Sequence, residues 1–182
     1  MEVYQYAILT VGWIAWFLPF VLNGWSLAPA TARDNRSRWG ILLQLVSYSV
    51  LWQGKVWLRS PEIWQVTACS LFLAIAALLS WSGTRALGRH LRLDAALTED
   101  HHLVQSGPYR LLRHPIYTSM LCVLVGTGFM VSTPMLFAVA LAIFLIGTEI
   151  RVRTEDQLLE VRFGDEFRRY KKSVAAYIPF LR

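Results

Sequence analysis

Charge is scarce in this sequence. Of 182 residues only 16% are Asp, Glu, Lys or Arg, against about 25% in ordinary soluble domains. Hydrophobic residues make up 55% and mean hydropathy is +0.40, a composition that excludes a soluble globular domain. Disorder is excluded by the 8 Trp, 7 Tyr and 9 Phe, because a chain this apolar does not stay solvated. Cysteine is nearly absent as well. Cys69 and Cys122 both sit in apolar runs, so there is no disulfide framework, no CxxC and no zinc-ligand spacing, and no metal site is expected. Internal repeats, low-complexity tracts and a GxGxxG are missing too. What charge there is carries a net +6. In so greasy a chain that excess points to the cytoplasmic face of a membrane and its lipids, not to nucleic acid.

Five apolar runs approach the roughly 20 residues that a membrane helix needs. They are Val3 to Leu22, Trp39 to Leu58, Ile63 to Trp81, Pro115 to Val131 and Pro134 to Ile150. Only Lys55 interrupts the second, near enough to its end to snorkel. Ser132-Thr133 alone separates the last two, which read as a helical hairpin. Hardly any polar face breaks these runs, so they are not the amphipathic helices of a soluble bundle. Ala28 to Ala32 faintly resembles a signal-peptidase site, but the start Met1-Glu2 is acidic and the following run is long, so a retained span is expected. Of the 18 basic residues, 16 fall in the first loop, the third loop and the tail, leaving Lys55 and Arg59 opposite. The positive-inside rule then places the N-terminus outside and the C-terminus in the cytoplasm. The expected fold is one all-α, polytopic domain of five transmembrane helices over residues 1–182, in the cell (inner) membrane. Residues 1–82 supply three spans, and 83–182 form the functional half.

Two elements stand outside the spans. Thr84 to His114 is long for a connection between membrane helices, and loops of that length are commonly functional. In the tail, the fifth helix should run on into the cytoplasm until Gly164 ends it in the left-handed conformation. Beyond it, Phe167, Tyr170, Val174 and Tyr177 at helical spacing among basic residues read as an amphipathic helix at the interface. The polar residues cluster near the inner ends of the fourth and fifth spans. Pro115 suits a first helical turn and holds His114 extended before it, with Tyr109 and Tyr117 close by. Arg151 and Glu155 are four apart and share a helical face. Glu149 lies deeper, where an ionisable group is functional or paired, and Arg151 and Arg153 are candidate partners.

These residues form an ordered set: His101-His102-Leu103-Val104, Gly107-Pro108-Tyr109 and Arg113-His114-Pro115-Ile116-Tyr117, then Arg151, Glu155, Asp156 and Leu159, then Phe163-Gly164, Phe167, Tyr170 and Ile178-Pro179-Phe180. From about Asp94 onward this pattern resembles the isoprenylcysteine carboxyl methyltransferases, while the first three spans match in hydropathy alone. Asp156 stands where that family usually has a second Glu, and Phe167 where it often has Tyr. The chain is also shorter than the eukaryotic enzymes, which fits a short prokaryotic-type member. The resemblance implies S-adenosylmethionine as cofactor, held by His101, His102, Leu103, Val104, Tyr109, His114, Pro115, Ile116, Tyr117 and Glu155, with Asp94 as a weaker contact. It implies Arg151 on the acceptor, with Arg151 and Glu155 as the catalytic pair. The acceptor would be the carboxylate of a prenylated or similar lipophilic molecule entering from the bilayer. Three other readings remain. A lipid-amine methyltransferase needs a base, for which His114 and Glu155 are the candidates. A reductase like the sterol-reducing relatives would use a nicotinamide, and a non-enzymatic membrane protein would bind anionic lipid through its tail.

Overall fold

The computed structural model describes residues 2–24, 32–54, 60–92, 94–97 and 102–179. Within them the chain is mostly helical: α1 (Val3–Asn23), α2 (Ser37–Leu51), α3 (Ile63–Leu87), α4 (Pro115–Val131), α5 (Pro134–Phe163) and α6 (Asp165–Ser173). One departure from an all-α fold is a small ribbon, in which β1 (Ala32–Arg33) pairs antiparallel with β2 (Ala96–Leu97).

The helix starts follow from local chemistry. Glu2 with Gln5, and Glu62 with Gln65, make reciprocal caps at the heads of α1 and α3, each Gln oxygen accepting from the capping N–H at 2.7 and 2.8 Å. α4 and α5 both open on a proline, where an N–H has no helical partner to lose. α5 runs unbroken from the apolar segment into the polar tail and stops at Gly164, whose φ of +51° favours glycine.

Among the described residues, three helices are long and apolar enough to cross a membrane: Val3–Asn23, Ile63–His90 and Pro134–Phe163. Large apolar side chains such as Val11, Ile14, Leu71, Leu78, Met135 and Ile146 are exposed on their outer faces, as lipid contact requires and water contact disfavours. α4, at 17 residues, is a shorter apolar helix. α2 is 15 residues long and ends before the turn at 52–54, short of the run expected to reach Leu58, whose last residues lie outside those described. α4 and α5 are consecutive in the chain, yet each packs chiefly elsewhere. α4 lies along α3, α5 along α2, and α1 on α3.

Tryptophans tie α1 down. Trp16 Nε1 donates to Ser119 Oγ at 3.0 Å and Trp13 Nε1 to Thr127 Oγ1 at 3.1 Å, both on α4. Pro19 removes the N–H that Ala15 would have received, and Trp81 Nε1 donates to that carbonyl instead at 3.0 Å. α2 and α5 cross at two glycines. A Cβ on Gly40 would stand 2.5 Å from the Gly147 carbonyl oxygen and 2.5 Å from Arg151 Cγ, so only glycine permits this approach.

Between α3 and α4, the stretch expected as a loop is partly built. α3 continues to Leu87, and short 3₁₀ turns follow at Gly88–His90 and Gly107–Arg110. The helix expected to include Val174 and Tyr177 stops at Ser173. Its continuation is drawn out because Ala175 and Ala176 accept from the Arg113 and His114 amides, each at 2.8 Å. Phe167 and Tyr170 are buried, while Arg168, Arg169, Lys171 and Lys172 are exposed.

Candidate functional site

A cavity of about 320 Å³ opens among α1, α2, α4, α5 and the segment from Leu87 to Leu97. Its volume lies at the lower end of the roughly 300–1,000 Å³ typical of small-molecule sites. One part of the wall is apolar, with Trp16, Phe17 and Phe20 from α1, Ile41, Leu45 and Tyr48 from α2, and Met120 from α4. The other part is polar, with Tyr109, Arg113, His114, Tyr117, Arg151 and Glu155, and with Asp94 and His90 across from them.

The polar wall is assembled by the start of α4 meeting the middle of α5. Pro115 in the first helical position leaves His114 as the capping residue, with φ −128° and ψ 62°. From there its ring Nε2 lies 3.0 Å from Asp156 Oδ1, and its Nδ1 lies 3.3 Å from Glu155 Oε2. Burial opposes a charge on the imidazole, but the hydrogen bonds to Asp156 and Glu155 outweigh it and raise its pKa. Asp156 also receives Arg113 Nη2 at 3.2 Å and Lys171 Nζ at 3.4 Å. The Arg113 guanidinium donates in addition to the carbonyls of Lys171 and Val174. Tyr117 stacks on His114, with centroids 5.5 Å apart and planes inclined by 17°, and its hydroxyl donates to Glu155 Oε1.

Arg151 sits beside this cluster, with its side chain 8% exposed and its Nη2 at 3.9 Å from Glu155 Oε1. The Tyr117 ring lies against its guanidinium, Cζ being 4.6 Å from the centroid. Its Nη1 donates to Gln44 Oε1 at 3.0 Å, and Gln44 Nε2 donates to Thr148 Oγ1 at 2.9 Å. Across the cavity, Asp94 is held by Arg33 at 2.8 Å and Arg92 at 3.0 Å. Burial works against its charge, but Arg92 and then Arg33 keep its pKa below the usual carboxylate value.

Of the residues singled out in the sequence, Tyr109, His114, Ile116, Tyr117, Arg151 and Glu155 share this cavity, and Asp94 joins them. His102, Leu103, Val104 and Pro115 stand outside its lining. His102 reaches it only through His90, the two Nε2 atoms being 3.3 Å apart, and Leu103 and Val104 follow in a half-buried stretch. Pro115 faces away toward Gly83 on α3. His101 lies outside the described residues. Glu149 is not among the lining residues and pairs with Arg153, four residues on, at 2.7 Å. The sequence reading passed over Gln44, Tyr48 and the α1 aromatics. The available signal was one glutamine inside an apolar run, since a buried amide in a membrane helix seeks a partner on another helix. Among the described residues, no group of three or more His, Cys, Asp or Glu is placed to hold a metal ion.

Protein-S-isoprenylcysteine O-methyltransferase A of Arabidopsis thaliana is 38% identical over 85 residues, 46% of this chain and 43% of that protein. Cobalt-zinc-cadmium resistance protein CzcN of Cupriavidus metallidurans is 30% identical over 148 residues, 79% of this chain and 62% of its own. The protein-S-isoprenylcysteine O-methyltransferase of Schizosaccharomyces pombe is 32% identical over 117 residues, 54% of this chain and 48% of that protein. The chain thus spans less than two thirds of the length of each of these relatives. A family model described as phospholipid methyltransferase matches residues 64–166, which take in α3, α4, α5 and nearly all of the polar wall. With more than half of its length inside that match, the chain belongs to the phospholipid methyltransferase family and is similar to the isoprenylcysteine carboxyl methyltransferases.

Proposed function

We propose that this protein is an integral membrane methyltransferase that esterifies the carboxylate of an isoprenylcysteine-like, lipophilic acceptor. The observation that carries the reading is Arg151, a buried guanidinium in the cavity wall with Tyr117 stacked against it and Glu155 at 3.9 Å. Glu155 is engaged by His114, and Asp156 by Arg113, His114 and Lys171. The Arg151 guanidinium lines the cavity against the Tyr117 ring, and its planar fork suits a carboxylate.

The cavity also fits S-adenosylmethionine. Leu87, Leu91 and Ala95 to Leu97 offer an apolar bed for a purine, and Tyr109 and Tyr117 present rings suited to a sulfonium. Asp94 and Glu155 supply carboxylates for hydroxyl or ammonium groups. When bound, S-adenosylmethionine supplies a methyl group carried on positively charged sulfur. Of the other assigned contacts, His102, Leu103 and Val104 precede the turn at Gly107–Arg110 that brings Tyr109 into this wall.

An acceptor carboxylate has a pKa of about 3.3–3.7 and is already ionised at neutral pH, so alignment and exclusion of water are what the protein must provide. Arg151 grips one edge of the carboxylate. Tyr117 and Glu155 hold the guanidinium from below and beside, and the apolar wall from Trp16 to Tyr48 keeps the region dry while receiving the first carbons of the lipid chain. An amine acceptor would need a base to remove its proton. Both His114 nitrogens are engaged by carboxylates, which raise its pKa, so neither is placed to take a proton from an amine, and this supports the carboxylate reading over the amine one.

In the membrane, we read α1 to α5 as five spans, α4 and α5 being consecutive and joined at Ser132-Thr133. The N-terminus is then outside, the cavity opens near the cytoplasmic boundary of the inner membrane, and the amphipathic α6 lies along that boundary. The test is methyl transfer from labelled S-adenosylmethionine, in detergent, to N-acetyl-farnesylcysteine and to phosphatidylethanolamine. Base-labile methyl ester on the first alone is expected. Transfer to the amine alone, or no cofactor binding by calorimetry in folded protein, would overturn the proposal.

A further inference from the structure

Gln44 is the one residue of α2 that touches the acceptor arginine by a hydrogen bond among those described. It is 2% exposed, and both ends of its amide are used, Oε1 by Arg151 and Nε2 by Thr148. The contact exists because Gly40, one turn earlier on α2, lets the two helices approach until Gln44 is level with Arg151. α2 lies wholly before the residues matched by the family model, so this contact is built by the part of the chain that the family pattern does not cover.

The chemistry of the amide decides what the contact does. A carboxylate in its place would form a buried ion pair and quench the charge of Arg151. An apolar side chain would leave the guanidinium free to close the 3.9 Å gap to Glu155, again removing it from the acceptor. A neutral acceptor oxygen does neither. It holds one nitrogen while leaving the cation its charge, and Thr148 fixes which end of the amide faces Arg151. Resting on the carboxylate reading above, we infer that Gln44 is a positioning residue that orients Arg151 and preserves its charge, and so sets the preference for an anionic acceptor.

The experiment uses the full-length protein in detergent, with N-acetyl-farnesylcysteine as substrate and its neutral carboxamide as competitive inhibitor. Gln44→Met keeps the volume and removes both hydrogen bonds, Gln44→Glu adds a carboxylate, and Thr148→Val removes only the support. In Gln44→Met the acceptor KM is expected to rise roughly tenfold, the size expected of a lost hydrogen bond to a charged group. The cofactor Kd should stay within about twofold, and the preference for acid over carboxamide should shrink with the KM. Gln44→Glu should lose more, roughly a hundredfold, because the new carboxylate competes directly for the guanidinium. Thr148→Val should show the same direction at smaller size, and it carries the test if Gln44→Met does not fold. Unchanged acceptor KM and unchanged acid preference in the folded variants, with the wild type active, would overturn the inference alone. A wild type that binds cofactor but never esterifies the acid would overturn the functional reading and this inference with it.

Discussion

Gly40→Ala is a one-atom probe of the link between helix packing and the site. The new methyl would stand 2.5 Å from the Gly147 carbonyl oxygen and 2.5 Å from Arg151 Cγ, where 3.4 Å is ordinary contact. One of the two helices must therefore retreat by about 0.9 Å, the difference between those distances, since a shorter contact is strongly repulsive. The backbone oxygen cannot swing aside as the end of a side chain can. Overpacking of this kind typically costs about 1–3 kcal/mol of stability. The same displacement moves Arg151 relative to Gln44 and Glu155, and a misplacement near 1 Å can lower turnover by roughly a hundredfold. The assay pairs thermal unfolding in detergent with acceptor kinetics and cofactor calorimetry. The expected result is a lower melting temperature, a fall in kcat/KM of one to two orders of magnitude, on the order of the misplacement effect, and a nearly unchanged cofactor Kd. Leu42→Ala, at an exposed position on the same helix, should leave all three near wild type. A Gly40→Ala protein with wild-type melting and wild-type kinetics would refute the close crossing as the device that seats Arg151.

Two further outcomes follow from the ion network. Asp156→Asn removes the carboxylate shared by Arg113, His114 and Lys171. Stranding buried cations in this way should destabilise the protein by roughly 3 kcal/mol, seen as a lowered melting temperature and lost cofactor binding. The pH dependence runs the other way from ordinary acid unfolding. The folded-state pKa of His114 is raised, so the folded protein retains a proton that the unfolded chain releases above its ordinary value of about 6.5. Its contribution is complete below that value and is lost as pH rises through the raised one. Melting temperature should therefore decline across that window, and His114→Gln should flatten the decline. A profile in the variant identical to the wild type would show that this imidazole does not carry it.

How far the site could be read from the sequence depended on whether its residues are joined along one helix or across two. Arg151 and Glu155 were legible because an i, i+4 spacing fixes their relation before any tertiary contact forms. His114 was legible through Pro115, which dictates where α4 starts and hence which residue caps it. Helix starts were legible where a proline opens the apolar run, as at Pro115 and Pro134. The end of α2 was not: it stops at Leu51, just ahead of Gln53, Gly54 and Lys55 within the run read to Leu58. The small ribbon was invisible because two residues per strand carry no period to detect. Val174 and Tyr177 have helical spacing, yet both lie beyond the end of α6 at Ser173. The competing partners, the amides of Arg113 and His114, lie some 60 residues earlier in the chain, and propensity alone has no knowledge of them.

The same distinction bears on why the family model matches residues 64–166 and leaves α1 and α2 outside. On the function proposed above, the residues assigned to the methyl donor all fall within the matched stretch, and those from Tyr109 to Tyr117 stand close enough in sequence to leave a readable motif. Apart from Arg151 on α5, the wall proposed to face the acceptor is brought in largely by other helices. Trp16 and Phe20 arrive on α1, and Ile41, Gln44 and Tyr48 on α2. In a lipid-facing helix almost any large apolar residue satisfies the bilayer, so the inward face is free to vary with the acceptor while hydropathy stays the same. Gln44 and Gly40 are the exceptions, because a buried amide and a backbone crossing each need a specific partner, Arg151 and Gly147. Differences in acceptor between related proteins should accordingly lie in α1 and α2, and the arginine they surround should remain on α5. Grafting residues 1–54 onto a relative that esterifies a different acceptor provides the direct measurement. Acceptor preference that follows the graft supports the division, and preference that stays with α5 refutes it.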